Sequence, residues 1–137
     1  MHVASDSRKN SISYGPGAIS SEEVQCTTLD LFTSQQNVDG IDFLKIDTEG
    51  HELEVLQGAS EILQTQRIRL VLLECVTLPS EERFVSLAAV GKILRQFSSK
   101  LFAIFDQQLD WGGAHRLQYC NAMFVSAGVA VNGIRHS

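Results

Sequence analysis

An almost continuous apolar run at residues 41–46 is followed at once by the polar sequence Asp47-Thr48-Glu49-Gly50-His51. The run lacks strict alternation of apolar and polar positions, which is typical of a strand covered on both faces in a parallel sheet. In open α/β sheets, ligands bind outside the carboxyl ends of the strands, where charged side chains can reach them. The pattern therefore predicts a strand whose end faces a ligand.

The next apolar positions predict a helix and a second strand. From Glu52 to about Gln64 they recur at spacings of three and four, which places them on one helical face; they are Leu53, Leu56, Ala59, Ile62 and Leu63. Gly58 lies inside this pattern and is expected to allow close packing of the helix against a strand. Residues 67–75 form a second apolar run with Glu74 near its end. Strand, helix and strand predict one βαβ unit.

Shorter patterns predict the segments on the amino-terminal side. Residues 1–23 are rich in Ser, Asn and Gly and indicate an irregular lead-in. Residues 24–31 predict a short extended segment, and residues 34–40 predict a loop or a short helix end.

On the carboxyl-terminal side, a second helix is expected to begin at Pro79 and Ser80, because proline suits the first turn and serine can cap it. Its buried positions are predicted to be Phe84, Leu87, Gly91, Leu94 and Phe97. Residues 101–105 and 119–125 predict two further strands, the last of them antiparallel, with a polar connection at residues 106–117 between them.

Composition argues against several classes of protein. The 137 residues are 44% hydrophobic and 20% charged, as expected for one globular domain. A net charge of −5 argues against nucleic-acid and anionic membrane partners, which require clustered Lys and Arg. The sequence has no leader pattern and no apolar run of the roughly 20 residues needed to span a bilayer, so a cytoplasmic location is expected. The widely spaced Cys26, Cys75 and Cys120 predict neither a disulfide framework nor a metal site.

Motifs along residues 27–125 follow one another in an order that resembles a known enzyme family. They are Thr27-Thr28-Leu29-Asp30, the sequence from Ile41 to Glu52, Leu56-Gln57-Gly58-Ala59, Leu72-Leu73-Glu74 and Asn121-Ala122-Met123-Phe124-Val125. The family is that of the FkbM S-adenosylmethionine-dependent methyltransferases, and His2-Val3-Ala4-Ser5-Asp6 is similar to a further segment of it. The resemblance implies a Rossmann-like sheet and methyl transfer from S-adenosylmethionine to a hydroxyl group on a small molecule or sugar.

The resemblance covers the carboxyl-terminal half of the family's domain. The amino-terminal half, with its first strand and glycine-rich cofactor loop, has no counterpart, because neither Gly15-Pro16-Gly17 nor Gly112-Gly113 directly follows a predicted strand. Methyl transfer by the chain alone is therefore not expected. The predicted fold class is α/β, a partial Rossmann-like methyltransferase fold at residues 24–126. It has a mainly parallel sheet, flanking helices and an antiparallel last strand, and a flexible tail follows at residues 127–137.

Methyl transfer to a hydroxyl group needs an aligned acceptor and often a base that takes the proton. Asp47 is the leading candidate for this base, because it would lie at the carboxyl end of the first strand; Glu49 is the second candidate and His51 the third. In the structural alternative, Asp47 and Thr48 satisfy backbone donors at the start of the helix. Glu49, His51 and Glu52 would then be solvated residues favoured by the helix dipole.

Lys45 and Asp47 are two residues apart, so on an extended strand their side chains point to the same face. A lysine in a buried strand needs a partner, and either Glu74 or Asp47 can form an ion pair with it. Lys45 and Glu74 would position the substrate in one interpretation and form a structural pair in the other.

Two other classes of function remain open. Asp47-Thr48-Glu49-Gly50 at a strand end can bind a hard cation through its carboxylate oxygens, as a metal-dependent hydrolase would, although the rest of the chain lacks the paired carboxylates and phosphate-binding elements of such a site. The other class is a noncatalytic interaction module. The strand at residues 41–46 would then be an unpaired apolar edge, which is a template for association with a second copy or a partner chain. Such association can also restore a cofactor crevice between chains.

Overall fold

The computed structural model describes residues 25–48, 50–77, 85–110 and 116–129. Its helices are α1 (Leu29–Gln35), α2 (Glu52–Gln57), α3 (Ser60–Gln64) and α4 (Leu87–Gln96), and its strands are β1 (Ile41–Ile46), β2 (Ile68–Val76), β3 (Ser99–Asp110) and β4 (Arg116–Ser126). The predicted lead-in and most of the predicted tail lie outside the described residues. None of the described helices is long and apolar enough to cross a membrane.

The four strands form one sheet in the order β1-β2-β4-β3. β1 and β2 are parallel, whereas β4 is antiparallel to both β2 and β3. The predicted antiparallel last strand is therefore confirmed. The prediction of a mainly parallel sheet is wrong. The sheet is mixed, because β4 lies between β2 and β3 and pairs antiparallel with each of them.

The predicted βαβ unit is present, since β1 and β2 pair in parallel across a helical connection. The helix predicted from Glu52 to Gln64 is divided into α2 and α3, with Gly58 as the C-cap residue of α2 and Ala59 as the N-cap residue of α3. A Cβ atom on Gly58 would lie 3.3 Å from the Cβ of Thr28. The glycine therefore allows close approach of the segment before α1, and its predicted packing against a strand is wrong.

The extended segment predicted at residues 24–31 is also wrong, because α1 begins at Leu29. The hydroxyl of Thr28 accepts the N–H of Leu31 over 3.1 Å and caps this helix. The Asp30 carboxylate then accepts the N–H groups of Glu61 and Ile62, both over 2.9 Å. The Thr28-Leu29-Asp30 sequence therefore caps α1 and links it by hydrogen bonds to the start of α3.

The hydrophobic core lies on one side of the sheet. Burial alternates along β4, and the buried residues of the strands pack against those of the helices; the core members include Ile46, Leu56, Ile62, Leu73, Leu94 and Phe124. The opposite side, which we call the open face, carries Phe43, Leu72, Met123 and Phe105, and Phe43 is 49% exposed. Within the described residues β1 is an edge strand with one face open, so its predicted coverage on both faces is wrong.

The second half differs from the prediction mainly in its boundaries. The helix predicted to begin at Pro79 and Ser80, which are outside the described residues, begins as α4 at Leu87, because Ser86 is extended and its hydroxyl accepts the N–H of Ala89 over 3.1 Å. β3 continues to Asp110 through positions predicted as a polar connection.

Two of the three cysteines are part of the core. Cys75 and Cys120 lie opposite each other on β2 and β4, and both are buried. Burial, with a smaller contribution from Cys120, raises the pKa of Cys75 to about 12. Neither thiol is therefore suited to act as a nucleophile at neutral pH.

Replacing Asp30 with alanine should lower the free energy of unfolding by about 1–2 kcal/mol, because two backbone N–H groups at the start of α3 lose their acceptor. Urea denaturation measures the change. Asp39→Ala is the matched control, since Asp39 is exposed and its side chain makes no hydrogen bond to the described residues. Equal losses in the two variants would contradict the role of Asp30.

Candidate functional site

The candidate site lies at the carboxyl ends of β1 and β2. Lys45 is opposite Leu72 in the parallel register, so Asp47 and Glu74, each two residues further on, lie on the open face with Lys45. Three of the five residues predicted for the site are therefore on one face of one sheet edge. Glu49 lies outside the described residues, and its predicted role stays a prediction.

Of the two partners predicted for Lys45, the structure pairs it with Asp47. The Nζ of Lys45 is 2.7 Å from the Oδ2 of Asp47, and the two side chains are 55% and 51% exposed. The expected burial of Lys45 is wrong, because β1 is an edge strand. The hydrogen bond and the charge of Asp47 raise the pKa of Lys45 above its usual value, and Glu74 contributes in the same direction.

The turn after β1 is organised by Glu52, which the sequence did not single out. Glu52 is only 3% exposed. Its Oε1 accepts the N–H and the hydroxyl of Thr48, each over 3.2 Å, and both carboxylate oxygens lie 3.1 Å from the N–H of Gly50. Gly50 has a φ of 114°, a value that favours glycine. The interpretation of Glu52 as a solvated residue is wrong.

Asp47 and His51 do not cap α2 with their side chains in the described structure. His51 is the N-cap residue, but its side chain makes no capping hydrogen bond. Asp47 binds Lys45 through Oδ2, and its Oδ1 accepts no hydrogen bond from the described residues. The Asp47 carboxylate is therefore held at one oxygen, and its side chain is half exposed.

Two further polar residues extend the site across the open face. Asn121 lies opposite Glu74 on β4, and its amide donates to the carboxylate of Asp106 over 2.9 Å. Asp106 has a φ of 46°, which is uncommon for a residue other than glycine. A polar residue inside the apolar strand predicted at 119–125 was the available sequence signal for Asn121, and nothing in the sequence indicated its partner.

The exposed Asp47 carboxylate can accept a hydrogen bond, and then a proton, from a ligand hydroxyl, while Lys45 fixes its orientation. Glu74 and Asn121 can receive or donate further hydrogen bonds on the same face. The described residues contain no group of three or more His, Cys, Asp or Glu that could hold a metal ion. Because Glu49 is not among them, the metal-dependent alternative stays a prediction.

Fold and site together define an α/β domain with polar groups gathered at the carboxyl ends of neighbouring parallel strands, where open α/β sheets bind ligands. The family model of the methyltransferase FkbM domain matches residues 3–113. The chain belongs to this family, as its motifs predicted. Searches of curated proteins and of solved structures gave no significant match.

Glu52→Gln should lower the free energy of unfolding by about 1.5–3 kcal/mol, because an amide nitrogen cannot accept hydrogen bonds from the N–H and O–H groups that donate to the carboxylate. The matched control is Glu54→Gln, an exposed position on the same helix that should change stability little. Both are measured by urea denaturation. The role of Glu52 would be contradicted if its variant were as stable as the control.

Asp47→Asn should lower the pKa of Lys45 toward its ordinary value of 10.5, because the hydrogen bond and charge that raise it are weakened. Since folding raises this pKa, the pair stabilises the folded state below the unfolded pKa, and the stabilisation is lost as pH rises through the folded pKa. NMR titration of the Lys45 side chain measures the shift. Asp42→Asn, which removes the Arg69 pair on the same strand, is the control; an unchanged Lys45 in the Asp47 variant would show that the pair does not form in solution.

Proposed function

We propose that the chain provides the acceptor side of a methyl-transfer site, in which Asp47 takes the proton of a hydroxyl group on a small molecule or sugar. Membership of the FkbM methyltransferase domain family supports the reaction class. The observation that supports the residue is the Asp47 carboxylate itself, which is half exposed at the end of β1 and bound by Lys45 through Oδ2, while its Oδ1 accepts no hydrogen bond from the described residues.

In this proposal the protein contributes positioning and a base, each of which lowers the barrier to transfer. Lys45 orients the carboxylate, and Glu52 fixes the turn that follows it. Glu74 lies on the same face and positions the acceptor. S-adenosylmethionine would supply the methyl group.

Thr48 and Gly50, in the turn after β1, do not offer their backbone N–H groups to the cofactor. A cofactor of this kind is held by backbone N–H groups in a glycine-containing turn after a strand. In the turn after β1, the N–H groups of Thr48 and Gly50 already donate to Glu52. We therefore assign this turn to the acceptor side and propose that another polypeptide segment binds S-adenosylmethionine.

The open edge of β1 is where that segment would pair. β1 has a hydrogen-bonded neighbour on one side only in the described sheet, and an unpaired edge with an exposed aromatic residue, Phe43, is a template for another strand. A strand parallel to β1 would place its carboxyl end beside Asp47. The same edge supports the second candidate, a noncatalytic module that associates with a second copy of the chain.

The test is calorimetric titration of the purified chain with S-adenosylmethionine and S-adenosylhomocysteine, with its mass measured by sedimentation. We expect no saturable binding by the chain alone. Addition of the separately expressed amino-terminal half of a complete FkbM-domain protein should produce binding and methyl transfer to a hydroxyl acceptor. Saturable binding by the chain alone would overturn the proposal that another polypeptide segment binds S-adenosylmethionine. A folded oligomer that stays inactive when the amino-terminal half is added would favour the noncatalytic module.

In the complemented protein, Asp47→Asn should lower turnover by about 10²- to 10⁴-fold with cofactor binding unchanged, as expected for loss of a general base. Asp42→Asn on the same strand is the control, because Asp42 pairs with Arg69 instead. If Asp47→Asn instead lowers stability and leaves turnover of the folded fraction intact, its role is structural.

A further inference from the structure

Two polar residues on the central strands of the open face lie directly opposite each other. They are Glu74 on β2 and Asn121 on β4. In an antiparallel pair, opposed residues alternate between hydrogen-bonded and non-hydrogen-bonded sites. Thr77 donates its N–H to the carbonyl of Gln118 further along the same register, so Glu74 and Asn121 occupy a non-hydrogen-bonded site. Their Cα atoms are therefore about 4.5 Å apart, which is the closer of the two spacings.

Asp106 fixes the orientation of the Asn121 amide. The Nδ2 of Asn121 donates to the Oδ2 of Asp106 over 2.9 Å. An ionised carboxylate only accepts hydrogen bonds, so the amide must turn its NH₂ group toward Asp106. One N–H and the Oδ1 of Asn121 then remain for a ligand. The amide binds Asp106 and not Glu74, whose carboxylate makes no hydrogen bond within the described residues.

Asp106 reaches Asn121 because β3 is irregular at this point. Phe105 pairs with Asn121 and Gln108 with Tyr119, so β3 has one residue more than β4 between these two pairs. Successive side chains of a regular strand point to opposite faces. Since Phe105 is on the open face, a regular strand would turn Asp106 away from it. Asp106 instead has a φ of 46°, and the bulge brings its carboxylate to the Asn121 amide.

The Glu74–Asn121 pair lies beside Asp47. Asp47 and Glu74 continue the register of β1 and β2, and neighbouring strands are about 4.8 Å apart. The charge of Glu74 contributes to the raised pKa of Lys45, which is the partner of Asp47. Glu74 accepts hydrogen bonds and Asn121 can donate one, whereas a hydroxyl group does both. Glu74 and Asn121 can therefore bind one hydroxyl group together, through its hydrogen and its oxygen.

We propose that Glu74 and Asn121 bind a second hydroxyl group of the acceptor, next to the hydroxyl group from which Asp47 takes the proton. Asp106 is then the positioning residue for Asn121. This inference rests on the proposed function and names its substrate class, a ring that carries vicinal hydroxyl groups. A site that is built to hydrogen-bond a hydroxyl group discriminates against compounds that lack it, because its polar groups are left unpaired.

NMR titration of the full chain with cis-cyclohexane-1,2-diol, cyclohexanol and cis-2-methoxycyclohexanol tests the substrate class without the cofactor. We expect the diol to bind saturably and to shift the signals of the Asn121 side-chain amide and the Asp47 carboxyl group. It should bind about three- to tenfold more tightly than either monoalcohol, as expected for one additional hydrogen bond.

The outcomes separate this inference from the proposed function. Equal binding of the three compounds with a shift at Asp47 would overturn the second hydroxyl site and leave the role of Asp47 intact. A preference for the diol with a shift at Asn121 alone would support the second hydroxyl site and contradict the role of Asp47. Absence of saturable binding by all three compounds would overturn the inference.

Variants test the location of the second hydroxyl group. Asn121→Ala should weaken binding of the diol about three- to tenfold and leave that of cyclohexanol unchanged, a difference that a loss of stability would not produce. Asp106→Gly should also reduce the preference for the diol, because the amide loses its fixed partner while glycine readily adopts a φ of 46°. Gln118→Ala, at an exposed position of β4, is the matched control. Equal losses for both compounds in Asn121→Ala, or a preference that survives both variants, would refute the site.

Discussion

A carboxylate inside a protein is stable only where several N–H or O–H groups donate to it, and Glu52 meets this condition through Thr48 and Gly50. The donors lie before Glu52 in sequence, so the chain must fold back directly after β1. Gly50 makes that reversal possible with a φ of 114°. The position of Asp47 at the rim of the sheet follows from this fold-back, because Asp47 is the residue that joins β1 to the turn.

The sheet divides the molecule into two unlike sides. Helices cover the side that carries Ile46, Leu73 and Phe124, whereas the open face carries the Lys45–Asp47 pair together with exposed apolar residues. On the open face, charged groups keep their hydration and can meet a ligand. On the covered side, the space between α4 and β3 is enclosed mainly by apolar groups.

The sequence predicted the helices and strands better than it predicted which segments of the chain flank them. The spacing of apolar residues located β1, β2 and the crossover, and the motifs identified the family, because both depend on short stretches of chain. The exposure of Lys45 could not be predicted in this way, since it depends on which strands flank β1. Glu52 was misjudged because a charged residue in a first helical turn is usually solvated; only the fold-back of residues that precede it buries the carboxylate. The insertion of β4 between β2 and β3 likewise follows from pairing between distant segments.

The symmetry of strand pairing limits what can complete the site at Asp47. Two copies of β1 that pair edge to edge about a twofold axis run antiparallel, so each Asp47 would face the amino end of the partner's strand. The two Asp47 residues would then be roughly 20 Å apart, given about 3.4 Å per residue. A ligand crevice between carboxyl ends needs parallel neighbours. A symmetric dimer through this edge would therefore cover exposed apolar surface without assembling a cofactor site, so the proposed methyl-transfer site needs a neighbouring strand that runs parallel to β1.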